Sequence, residues 1–249
     1  MIKLENTEVV GWEHAIRGMR NPKNSHDRMD SDFGCRIDRT TDHIIEDYED
    51  GHVTLCKECG WCEPLCDCTD PHDPKREYII GPNDHKLMMN LAAGGPVHAK
   101  YRRMIAVYVD ITCHHTWWAE FDTYKVGTVR NSCSKMHKIH VKEFTRDDFS
   151  HEGIDEVGDF AEETFNNTIE TLEKLRVLFN ETQEKKYWRA IIDLLPMGFN
   201  LKATVMLNYE VLVGMYRDRK NHKLSEWREF CKWVESLPYS EIITGKVDE

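Results

Sequence analysis

The sequence predicts a helix-rich fold with little strand. Three observations carry this: apolar residues recur at helical spacing over most of the second half, alternating apolar stretches are few, and one polar, Cys-rich segment interrupts the first half. In chain order, Trp12, Ile16 and Met19 share one helical face, closed by Asn21-Pro22. Residues 23–80 are polar, rich in Asp and Cys and poor in apolar runs. They read as an insertion with little core of its own, in which Pro71 and Pro74 punctuate the end. Asn83 or Asp84 is placed to cap a helix through Leu87, Met88 and Leu91 to Gly94-Gly95. A helix or strand follows over 97–109, then the aromatic stretch from Thr116 to Tyr124, then a polar, irregular stretch over 125–150. A long helix is expected from about 155 to 179, on Phe165, Ile169, Leu172 and Phe179. Further helices are expected over 181–194, stopped by Pro196, over 201–217, with Val205, Leu212 and Met215 inward, and over 224–237. The only strand candidates are 104–113 and 137–144.

Composition narrows the function. The 249 residues are 40% hydrophobic and 31% charged, which is globular usage. No apolar run is long enough to cross a bilayer, and the first residues lack the apolar core of a signal peptide, so the expected location is the cytoplasm, with no membrane partner. A formal charge of −11 argues against binding along a nucleic-acid backbone. One local basic pocket would still serve a small phosphorylated ligand.

Six of the nine cysteines fall between Cys35 and Cys68. Cys56, Cys59 and Cys62 are separated by two residues each, and Cys66 and Cys68 follow. Such spacing lets a tight turn at Gly60 aim thiolates at one metal, which would fix a loop too poor in apolar surface to fold alone. A structural zinc site on Cys56, Cys59, Cys62, Cys66 and Cys68 is therefore a candidate, with His52 and His72 able to replace a thiolate. An iron–sulfur site and a reduced loop without metal are the alternatives. Cys113-His114-His115 beside Asp110 imitates a metal site, but adjacent residues rarely converge on one ion.

The C-terminal segment carries a second constellation. Asn208 lies twelve residues past Pro196, Leu212 four further on, and Arg219 eleven after Asn208. Read as one helix, these steps put Asn208, Leu212 and Arg219 near one face. An amide and a guanidinium there would suit a planar, anionic ligand. A solvated helix end with Arg219 in a surface ion pair is the alternative.

The run Leu195-Pro196 … Asn208 … Leu212 … Arg219 … His222 … Glu226 resembles the C-terminal block of flavin-dependent thymidylate synthases. The match is good over about the last 60 residues and weaker over 97–137. By that resemblance Asn208 contacts the flavin, and Arg219 binds deoxyuridylate and favours ionisation of its ring. The family's central motif is Arg-His-Arg, then Ser, then Asn-Glu-x-Ser-x-Arg-Tyr. Asn131 and Ser134 match it and are implied to touch flavin or nucleotide. Tyr124, Lys125 and Val126 stand in place of the Arg-His-Arg, Ser132 in place of the Glu, and Met136-His137 in place of the Arg-Tyr. A further family Arg falls on Ile192, for which Arg189, one turn earlier, is a substitute. Lys125, Arg130, Lys135 and Lys138 retain local positive charge, and Lys125, Arg130 and Arg189 join Arg219 as candidate substrate ligands.

The resemblance implies an α+β fold of long helices on a small mixed sheet. It implies one domain over 1–249, with 23–80 inserted within it. It also implies FAD as cofactor, a dUMP-type nucleotide, methylenetetrahydrofolate and NADPH as partners, and a homotetramer with sites between subunits. The rival expectation is a decayed relative that binds a nucleotide or a protein without turnover.

Overall fold

The computed structural model describes residues 2–35 and 76–245. The chain divides into two compact units, Met1–Val10 with Ala106–Glu249, and Gly11–Ile105.

The first unit is built on a four-stranded sheet of order β1-β4-β6-β5, formed by β1 (Lys3–Val10), β4 (Ala106–His114), β6 (Asn200–Asn208) and β5 (Val129–Ser132). Every pairing is antiparallel, so the α+β class holds but the sheet is not mixed. The two central strands alternate strictly. Val107, Val109, Ile111 and Cys113 of β4 and Leu201, Ala203, Val205 and Leu207 of β6 are buried. Both central strands thus line the core through one residue in two. Edge strand β1 is largely exposed and carries Lys3, Glu5 and Glu8, charges that discourage further strand pairing.

The helices of this unit are α3 (His115–Phe121), α4 (Lys135–Lys138), α5 (Glu152–Val157), α6 (Asp159–Thr182), α7 (Lys185–Leu194), α8 (Tyr209–Arg219), α9 (Ser225–Glu235) and α10 (Glu241–Thr244). Two cores result. Phe144, Phe149, Phe165, Leu172 and Ile191 form one around the α6–α7 pair. Trp117, Trp118, Phe121, Trp227 and Phe230 form an aromatic one around α3 and α9, where Trp117 stacks on Phe121 at 5.2 Å and lies 4.7 Å from Trp227.

The largest correction concerns 201–217, expected as one helix. It is strand β6 followed by helix α8, and Asn208 is the hinge between them. The alternation Leu201, Ala203, Val205, Leu207 was a strand signal with a β-branched residue in it. The 137–144 strand is absent. Those residues form the end of α4 and a turn. Strands β1 and β5 went unread because their exposed faces leave no apolar alternation.

The second unit holds α1 (Trp12–Arg20), the strand pair β2 (Asp32–Cys35) and β3 (Arg76–Ile79), and α2 (Pro82–Ala93). Helix α2 starts at Pro82 with Gly81 at the N-cap position, earlier than Asn83 or Asp84. Neither of those caps it. The Asp30 carboxylate accepts from the Asn83 and Asp84 amides at 2.8 and 3.0 Å instead. This frees Asp84 to be buried against Arg20 (2.7 Å), with the Asp30 and Ser31 amides and the Ser31 hydroxyl also donating to it. Burial by itself would raise the Asp84 carboxyl, but these donors hold it below the usual range. The ladder pairs Cys35 with Arg76, the described residues on either side of 36–75. Cys56, Cys59, Cys62, Cys66 and Cys68 lie in that segment, outside the described residues.

Candidate functional site

Helix α3 organises the site. Successive residues are about 100° apart on a helix, so Trp118 and Asp122, four apart, share a side, while Glu120 faces away from it. Each side meets an arginine. The helix begins where His114 Nδ1 accepts from the Trp117 amide at 3.3 Å. That leaves His114 Nε2 as the donor to Glu226 at 3.3 Å, which draws the Glu226 carboxyl far below its usual range. His115 points to Lys135 instead (2.8 Å), so the two adjacent histidines diverge. Among the described residues no group of three or more His, Cys, Asp or Glu is placed to hold a metal ion.

On the Trp118 side lies a cleft of about 310 Å³ lined by His115, Trp118, Ala119, Asp122, Arg130, Ser132, Cys133, Lys135, Met197 and Leu201. The Arg130 guanidinium sits 4.7 Å over the Trp118 ring and 3.1 Å from Asp122. Burial, then Lys135 and Arg130, push His115 down to about 4, so it is a neutral acceptor for the Lys135 ammonium. Burial and Arg130 lower Lys135 as well. Two cations thus stand beside an indole face, a local positive group in a chain of net charge −11.

On the Glu120 side, Arg219 closes α8. Its Nε donates to the Tyr124 hydroxyl at 2.9 Å and its NH1 to Glu120 Oε2 at 2.7 Å. Its plane stands 4.8 Å over Trp227 and 5.5 Å over Tyr124. The same Glu120 oxygen accepts from Trp227 Nε1 at 2.8 Å and meets His222 Nε2 at 3.3 Å.

The remaining candidates scatter. Asn208 does not share a helical face with Arg219. It is the N-cap of α8, its side-chain oxygen accepting from the Val211 amide at 3.1 Å, and α8 separates the two by about 16 Å at 1.5 Å per residue. Gly127, at φ +81°, packs so closely on Asn208 and Val211 that a Cβ there would come within 3.0 Å of them. Asn131 is exposed on the face of β5 opposite Arg130 and Ser132. Ser134 is exposed at the start of α4, between the cleft residues Cys133 and Lys135. Lys125 is exposed in the loop before β5. Arg189 is exposed on α7 and paired with Asp193 at 2.9 Å, the solvated i,i+4 pair of an ordinary helix surface. Ile192 packs into the α6–α7 core. Sequence reasoning missed Glu120 as a partner of Arg219 and named His115 only within an imitation of a metal site. No local signal joins Glu120 to Arg219, which lie 99 residues apart.

The chain is an α+β protein with a basic cleft beside helix α3, and its architecture is similar to that of flavin-dependent thymidylate synthases. Two solved structures carry the likeness over nearly the whole chain. Thymidylate synthase X (ThyX) from Helicobacter pylori with FAD and dUMP superposes with a TM-score of 0.58 at 13% identity, covering 98% of this chain and 97% of that one. A second structure of flavin-dependent thymidylate synthase ThyX from Helicobacter pylori, complexed with FAD and dUMP, gives 0.56 at 13% identity and 97% of each chain. No protein-family model and no curated protein matches the sequence significantly. The likeness is one of fold, and function rests on the site. Among the described residues no helix is long and apolar enough to cross a membrane.

Proposed function

We propose that this chain is a thymidylate-synthase-like flavoenzyme. It binds FAD and a dUMP-type nucleotide and transfers a one-carbon unit from methylenetetrahydrofolate, with NADPH as the source of reducing equivalents. The observation that supports it most is end-to-end correspondence with a fold whose solved examples carry FAD and dUMP. The donors fall into two sets on opposite sides of α3. Arg130 and Lys135 would hold phosphate oxygens of one ligand while Trp118 offers it a ring face, and Arg219 would bind the pyrimidine edge of the other. Bound FAD supplies the hydride. The chain's residues supply charge compensation and orientation, which is where enzymes of this kind gain most of their rate. A homo-oligomer belongs to the same proposal, as does zinc on Cys56, Cys59, Cys62, Cys66 and Cys68.

One observation favours the rival reading of a nucleotide binder without turnover. Asn208 and Arg219, the two residues expected to face the ligands, are already engaged by Val211, Tyr124 and Glu120. Purified protein separates the two. The enzyme reading expects flavin absorbance, retained or acquired on adding FAD, and dUMP-dependent NADPH oxidation in the presence of methylenetetrahydrofolate. Thermal stabilisation by dUMP in a protein that takes up no FAD establishes the rival reading. Elemental analysis of the same sample reports zinc.

A further inference from the structure

Three tryptophans stand in series from the cleft inward. Trp118 lines the cleft, its ring centroid lies 5.0 Å from that of Trp117, and Trp117 lies 4.7 Å from Trp227 of α9. All three are buried. They differ in where the indole N–H goes. Trp118 Nε1 donates to the Leu201 carbonyl at 3.1 Å, which is not a base. Trp117 Nε1 is sealed from solvent and has no hydrogen-bond partner among the described residues. Trp227 Nε1 donates to the Glu120 carboxylate at 2.8 Å. Packing accounts for the ring contacts, but only the last indole of the series is set against a carboxylate.

We propose that Trp118, Trp117 and Trp227 form a one-electron relay, by which Trp227 reduces a photoexcited flavin held in the cleft. This rests on the proposed flavin binding, with the flavin as the ligand beside Trp118. Trp118 gives one electron to the excited flavin and is left as an indole radical cation. The Arg130 guanidinium, 4.7 Å over that ring, repels a positive charge there and drives it inward. Trp117 refills Trp118, and Trp227 refills Trp117. Among the described residues no cation stands over Trp117, and its N–H faces no acceptor, so the charge passes through it without loss of a proton. At Trp227 the indole N–H, made strongly acidic by the loss of an electron, passes its proton to Glu120 Oε2, which is already within hydrogen-bond reach. The products are a neutral Trp227 radical, a protonated Glu120 and a flavin with one more electron, so charge and protons balance with no further reactant. Arg219, 4.8 Å over the Trp227 ring, opposes a cation on it and is indifferent to a neutral radical. The proton transfer to Glu120 is therefore the step that holds the charges apart.

The test is flash photolysis of the full chain loaded with FAD, read by transient absorption and electron paramagnetic resonance. In the wild type an indole radical cation should give way to a neutral indole radical, more slowly in deuterated water. Trp117→Phe keeps an aromatic ring in the core but breaks the series. There the neutral radical should be lost while Trp118 still quenches the flavin fluorescence. In Glu120→Gln the radical cation should form and decay without losing its proton. A neutral radical of wild-type yield in either variant, or a wild type in which none forms, overturns the proposal and leaves the proposed function standing. A protein that takes up no FAD overturns both. Glu120 is partly exposed, so Glu120→Gln keeps the proposal falsifiable even if Trp117→Phe does not fold.

Discussion

Arg130 and Arg219 have the same equipment. Each lies on an indole face and each has a carboxylate within 3.1 Å. They differ in the carboxylate. Asp122 is 48% exposed and meets one donor, so Arg130 keeps a face toward an open cleft. Glu120 is 31% exposed and one of its oxygens gathers three donors, so Arg219 is fixed as part of a network. The lesson is that the partner's surroundings, rather than the pair itself, decide how much of a guanidinium stays open to a ligand. Arg20 with Asp84, in the other unit, is the closed extreme, at 5% and 0% exposure.

The most forceful way to break the comparison is to remove the floor both sides share. Trp117 is fully buried against Trp118, Phe121, Trp227 and Phe230. Trp117→Ala should cost about 3–5 kcal/mol in denaturant unfolding, and if the aromatic core is the common support, both arginine environments should be lost with it. The closed extreme comes next. Asp84→Ala should cost about 3 kcal/mol by stranding Arg20. Because the folded Asp84 carboxyl lies below its unfolded value, its contribution is complete above the ordinary carboxylate range and is lost as pH falls through the folded pKa. The acid limb of the stability curve of Asp84→Asn should therefore be flatter than that of the wild type.

The comparison itself is sharpened by paired truncations. Glu120→Ala should cost about 1.5–3 kcal/mol, since it leaves Arg219 and the Trp227 N–H without their acceptor. Asp122→Ala should stay within about 0.5 kcal/mol. Equal effects would mean that the two carboxylates do the same job. At the small end, Asn208→Ala should cost about 1 kcal/mol as the loss of a helix cap. Arg189→Ala should leave both the melting temperature and nucleotide affinity unchanged, and a drop in affinity would return Arg189 to the site.

The correct and incorrect expectations sort by range. Helices α1, α6, α7 and α9 were legible because their apolar stripes are internal to each segment. Gly158 alone interrupts the long one, separating α5 from α6. The strand-to-helix turn at Asn208 was misread because an apolar run followed by a helix imitates a longer helix, although the two-residue period was present. In the site, Arg130 and Arg219 were named from the sequence as substrate ligands, but the carboxylates that pair with them, Asp122 and Glu120, were not. Asn131 was named too, and β5 turns it to the face opposite Arg130.

By itself the sequence determined the helix-rich character, the local positive charge over 124–138, the C-terminal residue pattern and the clustering of cysteines, because each is a property of neighbours along the chain. Only the tertiary structure decided that a helix begins on Asn208, that Asp30 caps α2, and that Glu120 answers Arg219. Those pairings join residues up to 99 positions apart. Their energies come from burial and donor geometry that exist only once the sheet and α3 have brought the partners together.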